Sequence, residues 1–240
     1  MNQEPLNDSN ESPQTANSSQ SHKNQLDSAY EIEDYQQSTA ALFSKAQAGV
    51  FQLSDAVRPS SRAEIVPRQG YRRDTYSDSK QGVMLPMILA AATRETLFDL
   101  FLDLLNPLGN VVDVVLETSH RQRDGSHVDL YRAHIDSPVV KSMFCDFEKL
   151  LMQDGCAGVA VINAQAQMEV QFDEHKMLMV YAHDLTPFEE ILFAADVWPM
   201  EDMEFLTEAD HVHASSPTLQ RRFDELCCRL GMDVWSEVEY

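Results

Sequence analysis

The pattern of hydrophobic and polar positions changes near Gln81. Before that residue the chain is rich in Ser, Asn and Gln, whereas after it apolar residues recur at helix and strand spacing as far as about Met232. A composition of the first kind cannot bury enough apolar surface to offset the entropy lost on folding. We therefore predict a disordered tail over residues 1–82, a single acidic domain over 83–232 and a frayed C-terminus over 233–240.

One apolar stripe interrupts the tail at residues 38–57. A helix this short is marginal in isolation, so we predict a segment that becomes helical when it binds a partner, with chance periodicity as the alternative. Residues 58–80 follow with a net positive charge and are predicted to form a basic linker. The candidate partner-binding residues of the stripe are Leu42, Phe43, Val50, Leu53 and Val57.

Three pairs of a hydroxyl residue and a proline predict helix starts. The hydroxyl can accept a hydrogen bond from a free backbone N–H of the first turn, and proline has no N–H to lose there. Glu189 also stands where a capping box with Thr186 requires it. The pairs are Ser137-Pro138, Thr186-Pro187 and Ser216-Pro217.

Helix ends are marked as clearly as helix starts. Gly155 and Gly231 follow the first and third apolar stripes, and glycine is the usual left-handed stop after a last turn. An earlier helix is predicted from about Thr93 to Leu105, because the residue before Pro107 avoids helical angles.

Apolar runs between these helices predict five or six strands. Two strand–helix–strand units lie around the helices at Ser137 and Thr186, and their strands are expected to pair in parallel if they are adjacent. The hairpins predict antiparallel pairing. The fold class is therefore predicted as α+β or α/β, with a mixed five- to six-stranded sheet and about four helices. The predicted strands are 111–118, 127–135, 156–162, 168–172, 176–182 and, more weakly, 203–207.

Charge narrows the classes of partner. The net charge is -21, most of it after residue 80, and such a field repels nucleic acid phosphates and anionic lipid. We expect the folded domain to bind neither nucleic acid nor membrane, and charge favours a basic protein partner or simple solubility. The start of the chain lacks a secretory signal pattern, and the four cysteines show no Cys-x-x-Cys spacing, so a reducing cytoplasm is expected.

Histidines and carboxylates follow two of the predicted strands. If strands 176–182 and 203–207 are parallel, their carboxyl ends share one sheet edge, where open α/β sheets place ligands. A His-x-His pair in an extended segment places both imidazoles on one side, where they can share a metal and leave a position for water. The alternative is a set of solvent-facing loop residues. The candidates are His183, Asp184, Asp210, His211 and His213.

Other chemistry has no sequence support. The chain has no Walker A motif, no Gly-x-Gly-x-x-Gly and no Gly-x-Ser-x-Gly. The leading hypothesis is therefore a cytoplasmic, non-enzymatic interaction or regulatory protein without a cofactor. One alternative is a metal-dependent hydrolase that uses a divalent metal at the His/Asp cluster, and a second is an acidic mimic of nucleic acid.

Overall fold

The computed structural model describes residues 51–78, 82–120 and 127–232. Most of the predicted tail, including Leu42, Phe43 and Val50, and the predicted frayed C-terminus lie outside the described residues. The described chain forms a seven-stranded sheet, a two-stranded sheet and five α-helices. This confirms the predicted α+β class.

The described chain contains nine strands and five α-helices. The strands are β1 (Val57–Pro59), β2 (Gly70–Asp78), β3 (Val83–Ala91), β4 (Val111–Thr118), β5 (Val128–Asp136), β6 (Ala157–Asn163), β7 (Met168–Phe172), β8 (Leu178–Tyr181) and β9 (His211–His213). The helices are α1 (Arg94–Leu104), α2 (Ser137–Asp146), α3 (Glu148–Gln153), α4 (Thr186–Ala194) and α5 (Pro217–Leu230). Two 3-10 helices are Asn106–Leu108 and Leu206–Glu208.

The large sheet has the order β2-β3-β8-β7-β6-β4-β5, and every neighbouring pair is antiparallel. The predicted mixed sheet is therefore wrong. Helices α2 and α3 connect β5 to β6, but β6 pairs with β4, so the strands that flank these helices are not neighbours. Helix α4 lies between β8 and β9 in the chain. These two strands do not pair either, because β9 belongs to the two-stranded sheet.

One face of the large sheet carries the hydrophobic core. Alternate residues of β4, namely Val112, Val114 and Leu116, are buried on this face, as the pleat requires. All five helices bury apolar side chains in the same core. The ring of Phe101 in α1 stacks on Phe172 of β7 at 5.0 Å between centroids. Among the described residues no helix has the length and apolar character needed to cross a membrane.

The predicted basic linker at residues 58–80 contains β1 and the edge strand β2. Arg73 makes a bidentate ion pair with Glu189 of α4 at 2.5 Å, and Arg72 donates to the Met203 carbonyl at 2.7 Å. The arginines therefore fasten β2 to the acidic domain, as the basic charge of this segment beside an acidic domain predicts. The pattern missed this strand because the outer part of an edge strand is exposed and needs no apolar alternation.

Two further predicted elements differ in the structure. The predicted strand 203–207 is wrong, because a 3-10 helix occupies Leu206–Glu208. The described end of the predicted helix 38–57 is not helical, since residues 51–54 are irregular and Val57 begins β1. Val57 is buried at 1% exposure and Leu53 is partly buried. Val57 is therefore core rather than a surface for a partner.

The helix caps divide into confirmed and incorrect predictions. Ser216 caps α5 by accepting from Leu219 N at 3.2 Å, and Gly231 ends it with φ of 71°. The capping box at Thr186 does not form. Asp184 accepts from Thr186 N at 3.0 Å instead, and Glu189 is occupied by Arg73.

The Ser137 and Gly155 predictions are also incorrect in detail. The N-cap of α2 is Asp136, one residue before Ser137, and it makes no side-chain hydrogen bond to the helix. Gly155 does not adopt a positive φ. It is needed for a different reason, a close backbone approach described below.

We expect Ser216→Ala to lower the free energy of unfolding by about 1 kcal/mol, because it removes the hydroxyl that satisfies Leu219 N. Thr186→Ala is the matched control and should change stability by less than about 0.5 kcal/mol. Urea denaturation of both variants measures the difference. Equal losses would contradict the cap assignment.

Removing residues before Val83 should prevent cooperative folding, because it exposes the edge of β3 and deletes the Arg73–Glu189 pair. A chain that begins at Phe51 is the control and should unfold like the full chain. Thermal unfolding with light scattering distinguishes the two. Cooperative unfolding of the shorter chain at the parental temperature would show that β2 is dispensable.

Candidate metal centre

Titratable side chains gather at one end of the large sheet. Antiparallel pairing places Thr118 opposite Ala157 and Val159 opposite Phe172, so residues after β4, before β6 and after β7 share this end. Strand β9 lies against the same end. Five of the chain's eight histidines lie here, namely His120, His127, His175, His211 and His213.

Three of these histidines, His175, His211 and His213, form what we call the three-histidine cluster. Their ring centroids are 4.7 to 5.0 Å apart, and one coordinating nitrogen from each lies within 4.8 Å of the others. His175 Nε2 and His211 Nε2 are 3.1 Å apart. Two nitrogens bound to one tetrahedral zinc ion are separated by about 3.3 Å, so the cluster has the dimensions of a metal site.

The other nitrogen of each ring is held by an oxygen. His175 Nδ1 lies 2.7 Å from Asp173 Oδ2, and His211 Nδ1 lies 2.7 Å from the Ala209 carbonyl. His213 Nδ1 contacts the Gly155 carbonyl. A carbonyl oxygen only accepts, so Nδ1 of His211 and His213 must donate. This pattern fixes the tautomer that leaves Nε2 free, as the outer contacts of metal-bound histidines do.

The close pair of Nε2 atoms can share a proton or a metal ion. If both rings donate from Nδ1, two lone pairs face each other at 3.1 Å, and only a proton or a metal ion between them removes the repulsion. Burial lowers the pKa of His175, but the hydrogen bond and charge of Asp173 and the charge of Glu174 outweigh it, so the pKa is raised overall. A proton can bridge only one pair of nitrogens, whereas a metal ion can bind one nitrogen from each of the three rings.

The turn between β7 and β8 positions His175. Asp173 accepts from Met177 N at 2.8 Å through Oδ1 while Oδ2 holds His175, so one carboxylate fixes both the turn and the ring. Lys176 is buried in this turn, and its Nζ donates to the Ala157 carbonyl at 2.9 Å. Burial lowers the pKa of Lys176 to about 8. The lysine ties the turn to the first residue of β6.

A carboxylate stands beside the three-histidine cluster. Glu174 Oε1 lies 4.0 Å from His175 Nε2. Its other oxygen, Oε2, lies 2.9 Å from His127 Nε2 and 3.5 Å from the Ser119 hydroxyl. His127 and Ser119 therefore hold one oxygen of Glu174, and the other oxygen lies near the cluster.

Strand β1 and Gly155 hold β9 in place. Val57 pairs with His213 and Pro59 with His211, and Val212 between the histidines is exposed. Ala214 N donates to the Ala56 carbonyl at 2.7 Å, and Gly155 N donates to the Ala214 carbonyl at 2.8 Å. The alternation of β9 therefore directs both imidazoles to the same side, as the His-x-His spacing predicts.

Gly155 is required by this close approach. A Cβ at this position would lie 2.3 Å from the Ala56 carbonyl oxygen and 3.0 Å from Ala214 N. Any side chain there would push β9 and its two histidines out of position.

The structure brings together only part of the candidate set from the sequence. His211 and His213 share the cluster, but His183 is exposed and lies 3.2 Å from Gln167 Oε1. Asp184 caps α4, and Asp210 contributes its backbone carbonyl to Ser60 N. The predicted edge does not exist, because residues 203–207 form no strand parallel to β8.

His175 is the cluster residue that the sequence reading did not select. Its sequence signal is weak, because Asp173-Glu174-His175 has the length of an ordinary hairpin link. The side chain becomes significant only when β9, which begins 36 residues later, lies against the same turn.

No protein family, curated protein or solved structure matches this chain. The functional assignment therefore rests on the geometry of the site.

We expect Gly155→Ala to destabilise the protein by about 3 kcal/mol, because the added Cβ collides with the Ala56 carbonyl. Gly82→Ala is the control, since a Cβ there meets no atom and only the positive φ of 66° carries a cost, about 1 kcal/mol. Urea denaturation compares them. A smaller loss in Gly155→Ala than in Gly82→Ala would contradict the close approach.

Proposed function

We propose that the protein is a zinc-dependent hydrolase whose metal is bound by Nε2 of His175, His211 and His213. The observation that carries the proposal is the arrangement of the three rings: each is held through Nδ1, and one coordinating nitrogen from each ring lies within 4.8 Å of the others. Three protein ligands with one open position are characteristic of catalytic rather than structural zinc. Zinc lowers the pKa of a bound water to about 7, which supplies a nucleophile at neutral pH.

Glu174 is the proposed general base. Its Oε1 lies 4.0 Å from His175 Nε2. If the three histidines held zinc, the metal would supply an activated water. Glu174 would accept a proton from this water as the water attacked a substrate carbonyl, and would then pass the proton to the leaving group. His127, 2.9 Å from Oε2, holds the carboxylate in this orientation.

A small recess adjoins the cluster. His175 lines the recess, and its apolar walls include Phe51, Leu53, Met203 and Phe205. Its volume of about 20 Å³ admits a single water molecule beside the cluster.

The hypothesis of a non-enzymatic interaction protein stays a prediction. Its binding helix lies mainly outside the described residues, and Val57 is buried. The three-histidine cluster favours the hydrolase. The predicted cytoplasmic location and a basic protein partner also stay predictions, as does mimicry of nucleic acid.

The purified full-length protein should bind zinc and become more stable. Zinc at 100 times its Kd should add about 2.7 kcal/mol to the free energy of unfolding, because the metal binds only the folded cluster. The double variant His211→Ala, His213→Ala should gain about 2.7 kcal/mol less than the wild-type protein, and His183→Ala should gain as much as the wild type. Elemental analysis and thermal unfolding with and without zinc measure both effects. An equal gain in the double variant would disprove the three-histidine site.

Glu174→Gln should lower zinc-dependent hydrolysis of p-nitrophenyl acetate by about 100-fold or more, because general-base catalysis contributes 10²- to 10⁴-fold. Zinc content should not change. Glu190→Gln, an exposed position on α4, is the control and should keep full activity. Loss of zinc in Glu174→Gln would make Glu174 a ligand, and unchanged activity would remove it from the mechanism.

A further inference from the structure

We infer that His120, Asp154 and Cys156 form a second binding site for a divalent metal ion, zinc or a chemically similar ion. We call these residues the His–Asp–Cys cluster. One coordinating atom from each residue lies within 4.8 Å of the others. Imidazole nitrogen, carboxylate oxygen and thiolate sulfur are all ligands of zinc in proteins. The site is separate from the three-histidine cluster and goes beyond the proposed hydrolase.

Antiparallel pairing of β4 with β6 brings the three residues together. His120 follows the end of β4, and Asp154 and Cys156 precede β6. Ser119 N donates to the Cys156 carbonyl at 3.0 Å and continues the ladder past the last paired residues. The contact between the elements is therefore set by the sheet and not by loop conformation.

A buried carboxylate lies at the centre of the cluster. Asp154 is fully buried, and its Oδ1 accepts from Cys156 N at 3.0 Å. Its Oδ2 lies 2.7 Å from His120 Nε2. A buried carboxylate needs a cationic partner, and a metal ion bound by His120, Asp154 and Cys156 supplies one, as a protonated His120 does.

The surroundings of His120 also resemble those of a metal ligand. The side chain is only 5% exposed, and its Nδ1 lies 2.7 Å from the Thr118 hydroxyl. That contact orients the ring and leaves Nε2 directed at Asp154, which is the outer-contact arrangement of bound histidines.

A Ser–His–Asp hydrolytic triad does not explain the same atoms. Ser215 Oγ lies 3.3 Å from His120 Nε2, the nitrogen that also faces Asp154. In a triad the acid and the nucleophile address opposite nitrogens of the ring. The shared nitrogen therefore favours a cluster of ligands over a proton relay.

The donor set selects the metal. A thiolate excludes magnesium and calcium, which prefer oxygen ligands, and favours zinc and similar ions. Binding deprotonates the Cys156 thiol and releases one proton to solvent. Gly155 lies between two of these ligands, and its carbonyl holds His213, so the same three-residue segment serves both sites.

Cobalt(II) added to the reduced full-length protein tests the site. We expect two equivalents to bind and a thiolate-to-cobalt charge-transfer band to appear. Cys156→Ser should bind one equivalent without the band. Cys145→Ser, at an exposed cysteine, should bind two and keep the band. Far-UV circular dichroism checks that each variant folds.

The three-histidine site and the second site can fail independently. In His211→Ala, His213→Ala, one equivalent should remain with its thiolate band. A wild-type protein that binds one equivalent, with a band that survives this double substitution, would support the second site and disprove the first. A wild-type protein without a thiolate band would overturn the second site.

Thiol alkylation gives a second test if Cys156→Ser does not fold. Zinc should slow the reaction of Cys156 with iodoacetamide in the wild-type protein, as followed by peptide mass spectrometry. Exposed Cys145 and Cys228 should react at the same rate with and without zinc. Equal reactivity of Cys156 in both conditions would overturn the inference.

Discussion

The candidate centre depends on the pairing of β9 with β1. A strand of three residues has little stability of its own, yet β9 carries two of the three histidines of the cluster. Three paired positions with β1 and the backbone bonds among Ala56, Ala214 and Gly155 fix it against the end of the large sheet. The approach is so close that Gly155 cannot carry a Cβ. The position of both imidazoles follows from this contact between backbones.

Charge has opposite roles in different parts of the molecule. At the β2 edge, arginines pair with carboxylates of the acidic domain, and Arg73 and Glu189 form a direct bidentate contact. At the end of the sheet that carries the histidines, Asp173, Glu174 and Asp154 have histidine neighbours instead. A net charge of -21 raises the local concentration of cations around the whole chain. Such a field favours metal binding at whichever site has suitable ligands.

Both clusters have contacts that a protein selected for stability alone would avoid. The Nε2 atoms of His175 and His211 lie 3.1 Å apart, and the carboxylate of Asp154 is fully buried, so both clusters place polar groups where a well-packed core would have apolar ones. Violations of this kind are concentrated at functional sites. Both contacts, the one between His175 and His211 and the one at Asp154, occur at the same end of the large sheet. Their proximity supports the assignment of this end as the functional end.

The sequence alone determined most of the local structure. Apolar periodicity and caps predicted the helices, because Ser216 and Gly231 act through neighbouring atoms that any helix would present. The strand pattern predicted β4 to β8, and the His-x-His alternation placed His211 and His213 on one side of an extended segment. Strands β2 and β3 were missed. The outer part of β2 is exposed, and β3 is apolar almost throughout although only its second half is largely buried, so neither shows the alternation of a half-buried strand.

Only the tertiary structure decided which distant residues meet. Strand order is set by packing, and it made the sheet antiparallel where strand–helix–strand units had suggested parallel pairing. It also replaced His183 with His175 and joined His120 to Asp154 and Cys156. Each of these contacts links residues about 35 positions apart. Spacing along the chain constrains side chains within one element, whereas a site that is assembled from turns depends on how the elements pack.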